Sequence, residues 1–80
     1  SIVSHAARLV PDIAEAMALY RVQAEWTAES LALHTQAVLQ GAFILAKATG
    51  GAAVAAASVD HLRRYIELLF APPPVPAKEN

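Results

Sequence analysis

Three histidines, His5, His34 and His61, are the residues of this sequence best suited to binding a metal or transferring a proton. Metal sites usually combine imidazoles at short spacings, such as His-x-x-x-His, or pair them with cysteine thiolates. No two of these histidines have that spacing, and the chain contains no cysteine. We therefore expect no metal site.

Nucleophilic catalysis and phosphate binding also lack their usual sequence patterns. Serine, histidine and aspartate are all present, but no serine lies in a nucleophile motif. The pair Gly50-Gly51 follows a predicted helix, whereas a phosphate-binding loop follows a strand. The carboxylates of Asp12 and Glu15 fit the first turn of a helix, where the helix dipole favours negative charge. These patterns indicate that the chain is not an enzyme and has no cofactor.

The composition favours a small helical domain that a partner stabilises. The chain has 80 residues, of which 56% are apolar and 16% are charged, compared with about 45–50% and about 25% in average domains. A domain this short usually needs a staple or a partner, and without cysteine it has no disulfide. The excess of apolar residues therefore predicts a homodimer.

The charge balance argues against binding to nucleic acid by this chain. Six basic and seven acidic residues give a formal net charge of −1, and no basic stripe exists. The longest apolar run is far shorter than the roughly 20 residues of a membrane span. The chain opens at Ser1 without a signal-peptide pattern. We expect a cytoplasmic segment of a longer parent protein that does not contact a membrane.

Apolar residues spaced three and four apart predict an all-α helical bundle, since no stretch alternates as a strand would. After a short first helical segment, Pro11 is expected at the start of a helix over residues 12–25. We expect Thr27 to cap the next helix, over residues 28–48.

Glycine is expected to end that helix at Gly50, because glycine readily adopts the left-handed cap conformation. A last helix is predicted over residues 52–70, with the opposite charges of Asp60 and Arg64, and of Arg63 and Glu67, four residues apart on its outer side. The predicted organisation is a helical domain over residues 1–70 and a Pro-rich flexible tail over residues 71–80.

Both closing helices are predicted to carry more apolar surface than one subunit can cover. On a helical wheel, the helix over residues 28–48 has a broad apolar arc and a second arc of small residues around Gly41. A glycine inside a helix costs about 1 kcal/mol against alanine. A close crossing with another helix explains that cost, and relief of crowding within the subunit is the alternative interpretation.

We therefore predict that two copies pair their closing helices into a dimeric four-helix bundle. Which apolar face forms the seam and which the internal core stays open. The predicted dimer interface consists of Leu33, His34, Ala37, Gly41, Ile44, Ala48, Val59, Leu62, Ile66 and Leu69.

The helix over residues 12–25 and the first closing helix are expected to form the walls of a ligand pocket. Small-molecule sites combine an apolar lining with a few polar groups. No charge cluster offers an anchor, so the expected ligand is a small hydrophobic effector. The predicted lining consists of residues that fit a core position equally well: Met17, Tyr20, Val38, Leu39 and Phe43.

Two motifs in the closing helices resemble those of a known protein family. Residues 30–48 form an apolar helix with Gln40-Gly41-Ala42 near its middle, and a glycine turn follows. Residues 59–70 then end in a run of the type His-Leu-x-x-Tyr-Ile-x-x-Leu-Phe. The order and spacing of these motifs resemble the last two helices of TetR/AcrR-family transcriptional regulators.

This resemblance implies a division of labour between domains. In that family an N-terminal helix-turn-helix domain binds operator DNA, and a C-terminal helical domain binds an effector and forms a homodimer through its last two helices. The chain resembles only the C-terminal part. The expected function is therefore ligand sensing and homodimerisation in a TetR-type repressor, with operator DNA bound by a domain outside this chain. A standalone helical interaction module is the alternative, and a small enzyme is the third.

Overall fold

A computed structural model describes residues 1–72 of the chain. These residues form three α-helices and no strand: α1 (Ile2–Leu19), α2 (Ala28–Thr49) and α3 (Ala53–Phe70). Helices account for 81% of them, which confirms the predicted all-α class. From residue 73 onwards, the predicted Pro-rich tail lies outside the described residues.

Helix α1 continues through Pro11, so the predicted break at this residue is wrong. Proline removes one backbone hydrogen bond and crowds the preceding turn. Pro11 itself is exposed, whereas Ala6 before it and Ile13 after it are buried or half-buried. Packing on both sides of the proline therefore holds together a helix that the local sequence would interrupt.

Helix α1 also ends at Leu19, earlier than the predicted end near residue 25. Arg21 has a φ of 54°, and the backbone N–H of Val22 donates to the carbonyl oxygen of Met17 over 2.9 Å. This is the Schellman pattern of a helix end, in which glycine usually occupies the left-handed position. Because arginine occupies that position here, no glycine marks the end of the helix in the sequence.

Helix α2 begins and ends where the predicted capping threonine and the predicted terminal glycine place its bounds. Thr27 caps the helix: its hydroxyl oxygen accepts from the backbone N–H of Ser30, and the Ser30 hydroxyl oxygen accepts from the backbone N–H of Thr27, both over 3.1 Å. Gly50, with a φ of 72°, ends the helix in the left-handed conformation. A short turn then leads into α3.

Helix α2 is the central element and contacts both α1 and α3, which barely touch each other. Helix α1 crosses the N-terminal half of α2, where Val3 and Ala6 lie near Leu33. The buried residues of α2 lie mostly in this half, and Ala42 is the exception. The second half of α2 and the start of α3 therefore extend beyond α1.

The core within the chain is small. Ala32 is completely buried, but no large side chain of the described residues is. The Cα radius of gyration is 15.8 Å, against about 12 Å for a compact domain of this length. The chain is therefore elongated and leaves much apolar surface uncovered. Its buried apolar residues are Ala6, Ala28, Leu31, Ala32, Ala42 and Leu62.

Candidate functional site: an apolar groove and an exposed helical face

An apolar groove with a volume of about 540 Å³ lies between α1 and α3, with α2 as its floor. The spacing of its α1 residues, four, three and four apart, puts them on one side of that helix. The volume falls within the range of about 300–1,000 Å³ that drug-sized ligands occupy. The apolar lining consists of Leu9, Ile13, Ala16 and Tyr20 from α1 and its end, Leu31 from α2, and Ile66 and Phe70 from α3.

Three further polar residues line the groove, and two of them are acidic. Asp12 lies on the α1 side and Glu67 on the α3 side. Thr35 on the floor has its hydroxyl committed, because it donates to the carbonyl oxygen of Leu31 over 2.9 Å. No basic residue lines the groove. The groove therefore combines apolar walls with negative charge at its edges.

An aromatic cluster closes one end of the groove. The ring of Phe70 lies 6.1 Å from that of Tyr20 and 6.0 Å from that of Trp26, both edge-on. Such contacts between aromatic rings stabilise by about 0.5–1.5 kcal/mol beyond their buried area. They tie the end of α1 and the loop before α2 to the end of α3.

The groove contains one of the five residues predicted to line a ligand pocket, Tyr20. Met17, Val38 and Leu39 are half-buried but do not line it, and Phe43 is 67% exposed on the half of α2 beyond α1. The α3 wall is absent from the predicted pocket, because the pocket was expected between the helix over residues 12–25 and the first closing helix. Of the α1 wall only Tyr20 was predicted, and the break expected at Pro11 separated Leu9 from Ile13 and Ala16, which lie on the same side of the continuous helix.

A second candidate site is an exposed apolar face on α2, formed by Leu33, Ala37, Gly41, Ile44 and Ala48 and called here the α2 face. Their spacing puts them on one side of the helix, and all belong to the predicted dimer interface. Leu33 is 49% exposed and Ile44 is 67% exposed. Exposed contiguous apolar surface of this kind is typical of interaction sites.

The environment of Gly41 bears on its two interpretations, a close crossing with another helix and relief of crowding within the subunit. A Cβ built at Gly41 meets no atom within 4 Å. Crowding among the described residues therefore does not require glycine here. Contacts within the described chain therefore do not compensate the free-energy cost of this mid-helix glycine, and the close crossing with another helix stays a prediction.

On α3, the predicted interface residues differ in their exposure. Leu62 is 7% exposed and belongs to the chain's own core. Ile66 and Leu69 are half-buried, and Val59 is exposed. Apolar surface next to the α2 face comes instead from Tyr65, because its ring lies 5.7 Å from the exposed imidazole of His34.

The outer side of α3 carries the predicted ion pairs. Arg64 lies 2.9 Å from Asp60, and Arg63 lies 2.6 Å from Glu67. Arg63 also bonds to Asp60, three residues before it, over 2.8 Å, an ion pair beyond the two predicted. The hydrogen bond from Arg63, with the positive charges of both arginines, lowers the pKa of Asp60 although desolvation opposes the shift. These exposed pairs mark the solvent side of the helix.

No three side chains of the types that bind metals come together in residues 1–72. None of the three helices combines the length and the apolar character that crossing a bilayer requires.

Comparisons with family models, with curated proteins and with solved structures find no match to this chain. The resemblance to TetR-type regulators therefore rests on the motifs of α2 and α3 alone.

Proposed function

We propose that this chain is the ligand-sensing and homodimerisation region of a cytoplasmic TetR-type transcriptional repressor. Operator DNA is bound by a domain outside this chain. The proposal is supported by the motifs in residues 30–48 and 59–70, which fall within α2 and α3. These two helices are joined by the turn at Gly50, as the resemblance implies for a dimerising hairpin.

The observation that carries the dimer is Gly41. It lies in the middle of the exposed α2 face, and no described residue of its own chain occupies the space beside it. A second copy that crosses at Gly41 brings two backbones close together, which only a residue without a side chain allows. The dimer thus accounts for a glycine that costs about 1 kcal/mol in the isolated helix.

The α2 face is suited to pairing with itself. None of its residues is charged, so two copies meet without like-charge repulsion. Burying apolar surface stabilises by roughly 25 cal/mol per Å², and the exposed side chains of Leu33 and Ile44 gain from it in both copies. With Tyr65 of α3 alongside, this pairing forms a four-helix bundle.

A standalone interaction module is the second candidate function. It is favoured by the net charge of −1 and by the absence of a basic cluster, since nothing in this chain then links it to DNA. In that case the α2 face pairs copies of a small adaptor. The parent reading frame separates the two functions: a basic helix-turn-helix upstream of these residues supports the repressor, and its absence supports the module.

Analytical ultracentrifugation tests the dimer. The wild-type chain is expected to sediment as a dimer at tens of micromolar, and Ile44→Asp as a monomer because it places a charge in the seam. Leu19→Asp is the matched control, since Leu19 is an aliphatic residue at the end of α1 that is 74% exposed and does not belong to the α2 face. A wild-type chain that stays monomeric contradicts the proposal, and so does a dimer that only Leu19→Asp dissociates.

A further inference from the structure

We propose that pairing through the α2 face is controlled by pH, with the imidazole of His34 as the switch. The inference rests on the proposed function, because it names the regulation of the dimer seam. The dimer forms while His34 is neutral and weakens when the imidazole takes up a proton. The seam then responds to acidification without a bound ligand.

His34 lies on the same side of α2 as the α2 face. It precedes Gly41 by seven residues, and Ala48 follows Gly41 by another seven. Seven residues are about two helical turns, so these three positions form one line along the helix. The α2 face extends from Leu33 to Ala48, and His34 lies within that length. Pairing along the full face therefore covers the imidazole.

The imidazole is exposed in the single chain and is in contact with one neighbouring ring. It lies 5.7 Å from the ring of Tyr65, edge-on, where α2 and α3 meet. Histidine side chains in water ordinarily take up a proton near pH 6.5. Water solvates the imidazolium in the single chain, whereas the seam removes that water, so dimerisation favours the neutral form.

The surroundings of His34 provide no counter-charge for an imidazolium. The space beside it is lined by Trp26, Ser30, Leu31 and Tyr65, none of them from α1, and the Tyr65 phenol is the one titratable group among these four. His34 forms no salt bridge with a carboxylate of residues 1–72. The residues of the α2 face are uncharged, so a second copy brings no carboxylate through that face.

The carboxylates of the hairpin face other partners. Asp60 and Glu67 are bound by arginines on the outer side of α3, and Glu29 lies where α1 contacts α2. The hydrogen bond from Arg63 is the main cause of the lowered pKa of Asp60, and the positive charge of His61 contributes to it. His61 therefore has an acidic neighbour within its own chain, which distinguishes it from His34.

The size of the pH effect follows from the linkage between proton uptake and dimerisation. In a seam that admits only the neutral imidazole, each copy raises the dissociation constant by the factor by which protonation favours the free chain. That factor is about tenfold between about pH 7.5 and about pH 5.5 for a group that titrates near pH 6.5, so two copies give about a hundredfold. Carboxylates that titrate near pH 4 keep their charge over this interval.

Sedimentation equilibrium of the full chain at about pH 7.5 and about pH 5.5 tests the inference. The dissociation constant of the wild type is expected to rise about a hundredfold at the lower pH, while that of His34→Gln, which is polar but uncharged at both, changes less than about threefold. His5→Gln is the matched control, because His5 is an exposed histidine of α1 that does not belong to the α2 face, and it should keep the wild-type response. A rise below about threefold in the wild type, or a full response in His34→Gln, overturns the proposal.

Failure of the inference is distinguishable from failure of the dimer. A wild-type chain that is monomeric at about pH 7.5 contradicts both, whereas a dimer of equal strength at the two pH values contradicts the inference alone. His34→Lys places a lasting positive charge at the switch and is expected to weaken the dimer at least about tenfold at both pH values, with the helices retained in circular dichroism. A His34→Lys chain that dimerises as tightly as the wild type removes His34 from the seam and with it the proposed switch.

Discussion

Replacing Gly41 by leucine separates the stability of the single chain from that of the proposed dimer, because the two are expected to change in opposite directions. In the isolated subunit a Cβ at this position meets no atom within 4 Å, so a leucine side chain extends into solvent. Leucine also favours helix over glycine by about 0.5–1 kcal/mol. The monomer of Gly41→Leu is therefore expected to be more stable than that of the wild type.

In the proposed dimer the same leucine lies at the crossing of two α2 helices. Overpacking costs about 1–3 kcal/mol for each inserted side chain, and two-fold symmetry places two leucines at one seam. The loss is then about 2–6 kcal/mol per dimer, so the dimer dissociation constant rises at least about thirtyfold. Gly41→Ala is expected to fall between the wild type and Gly41→Leu.

Sedimentation equilibrium measures the dissociation constant of the dimer. Thermal unfolding at low protein concentration measures the stability of the monomer. Ala18→Leu is the matched control, because it places a leucine at an exposed alanine of α1. A Gly41→Leu chain that dimerises as tightly as the wild type removes Gly41 from the seam. A monomer destabilised by Gly41→Leu shows that the space beside Gly41 is filled within the chain.

Three further predictions concern local features. Arg21→Gly relieves the strain of a non-glycine residue at a φ of 54° and is expected to stabilise the chain by about 1 kcal/mol. Thermal unfolding measures this gain, which the control Arg21→Ala should not show. Thr27→Ala removes the cap shared with Ser30 and should lower the free energy of unfolding by about 1 kcal/mol in urea titrations; an unchanged midpoint argues against the cap. The pKa of Asp60 is lowered from its ordinary value of 3.8, so its contribution to stability is present above that value and is lost as pH falls through the lowered pKa. A carboxyl titration followed by NMR should place Asp60 nearer 3.8 in Arg63→Gln.

The helix bounds that could be predicted are those set by local chemistry. Thr27 supplies a cap and Gly50 a left-handed end, and neither depends on what packs against the helix. Pro11 and Arg21 led to wrong bounds because packing and a Schellman end without glycine decided the structure at these positions. Local preference is overridden where residues on either side of it are buried.

The candidate site was less predictable than the helices, for a geometric reason. A groove between three helices depends on where α1 crosses α2, and that crossing depends on pairs of residues distant in the sequence. Phe43 has the same apolar character as Leu31, yet α1 does not reach it, and it stays exposed. Periodicity identified the apolar faces of each helix but could not match one face to another.

The alanines that join α1 to α2 also affect the order in which the chain opens. Ala6, Ala28 and Ala32 are deeply buried at or near this contact, but burying a methyl group stabilises by only about 0.8 kcal/mol, against about 1.5–3 kcal/mol for a large apolar side chain. Ala6 is the one buried residue of α1, and the larger apolar side chains of this helix are half-buried or exposed, so α1 has little fully buried apolar area to lose on separation. Amide hydrogens of α1 should exchange with solvent before those of α2 and α3 in the proposed dimer, because its seam protects the hairpin while α1 opens.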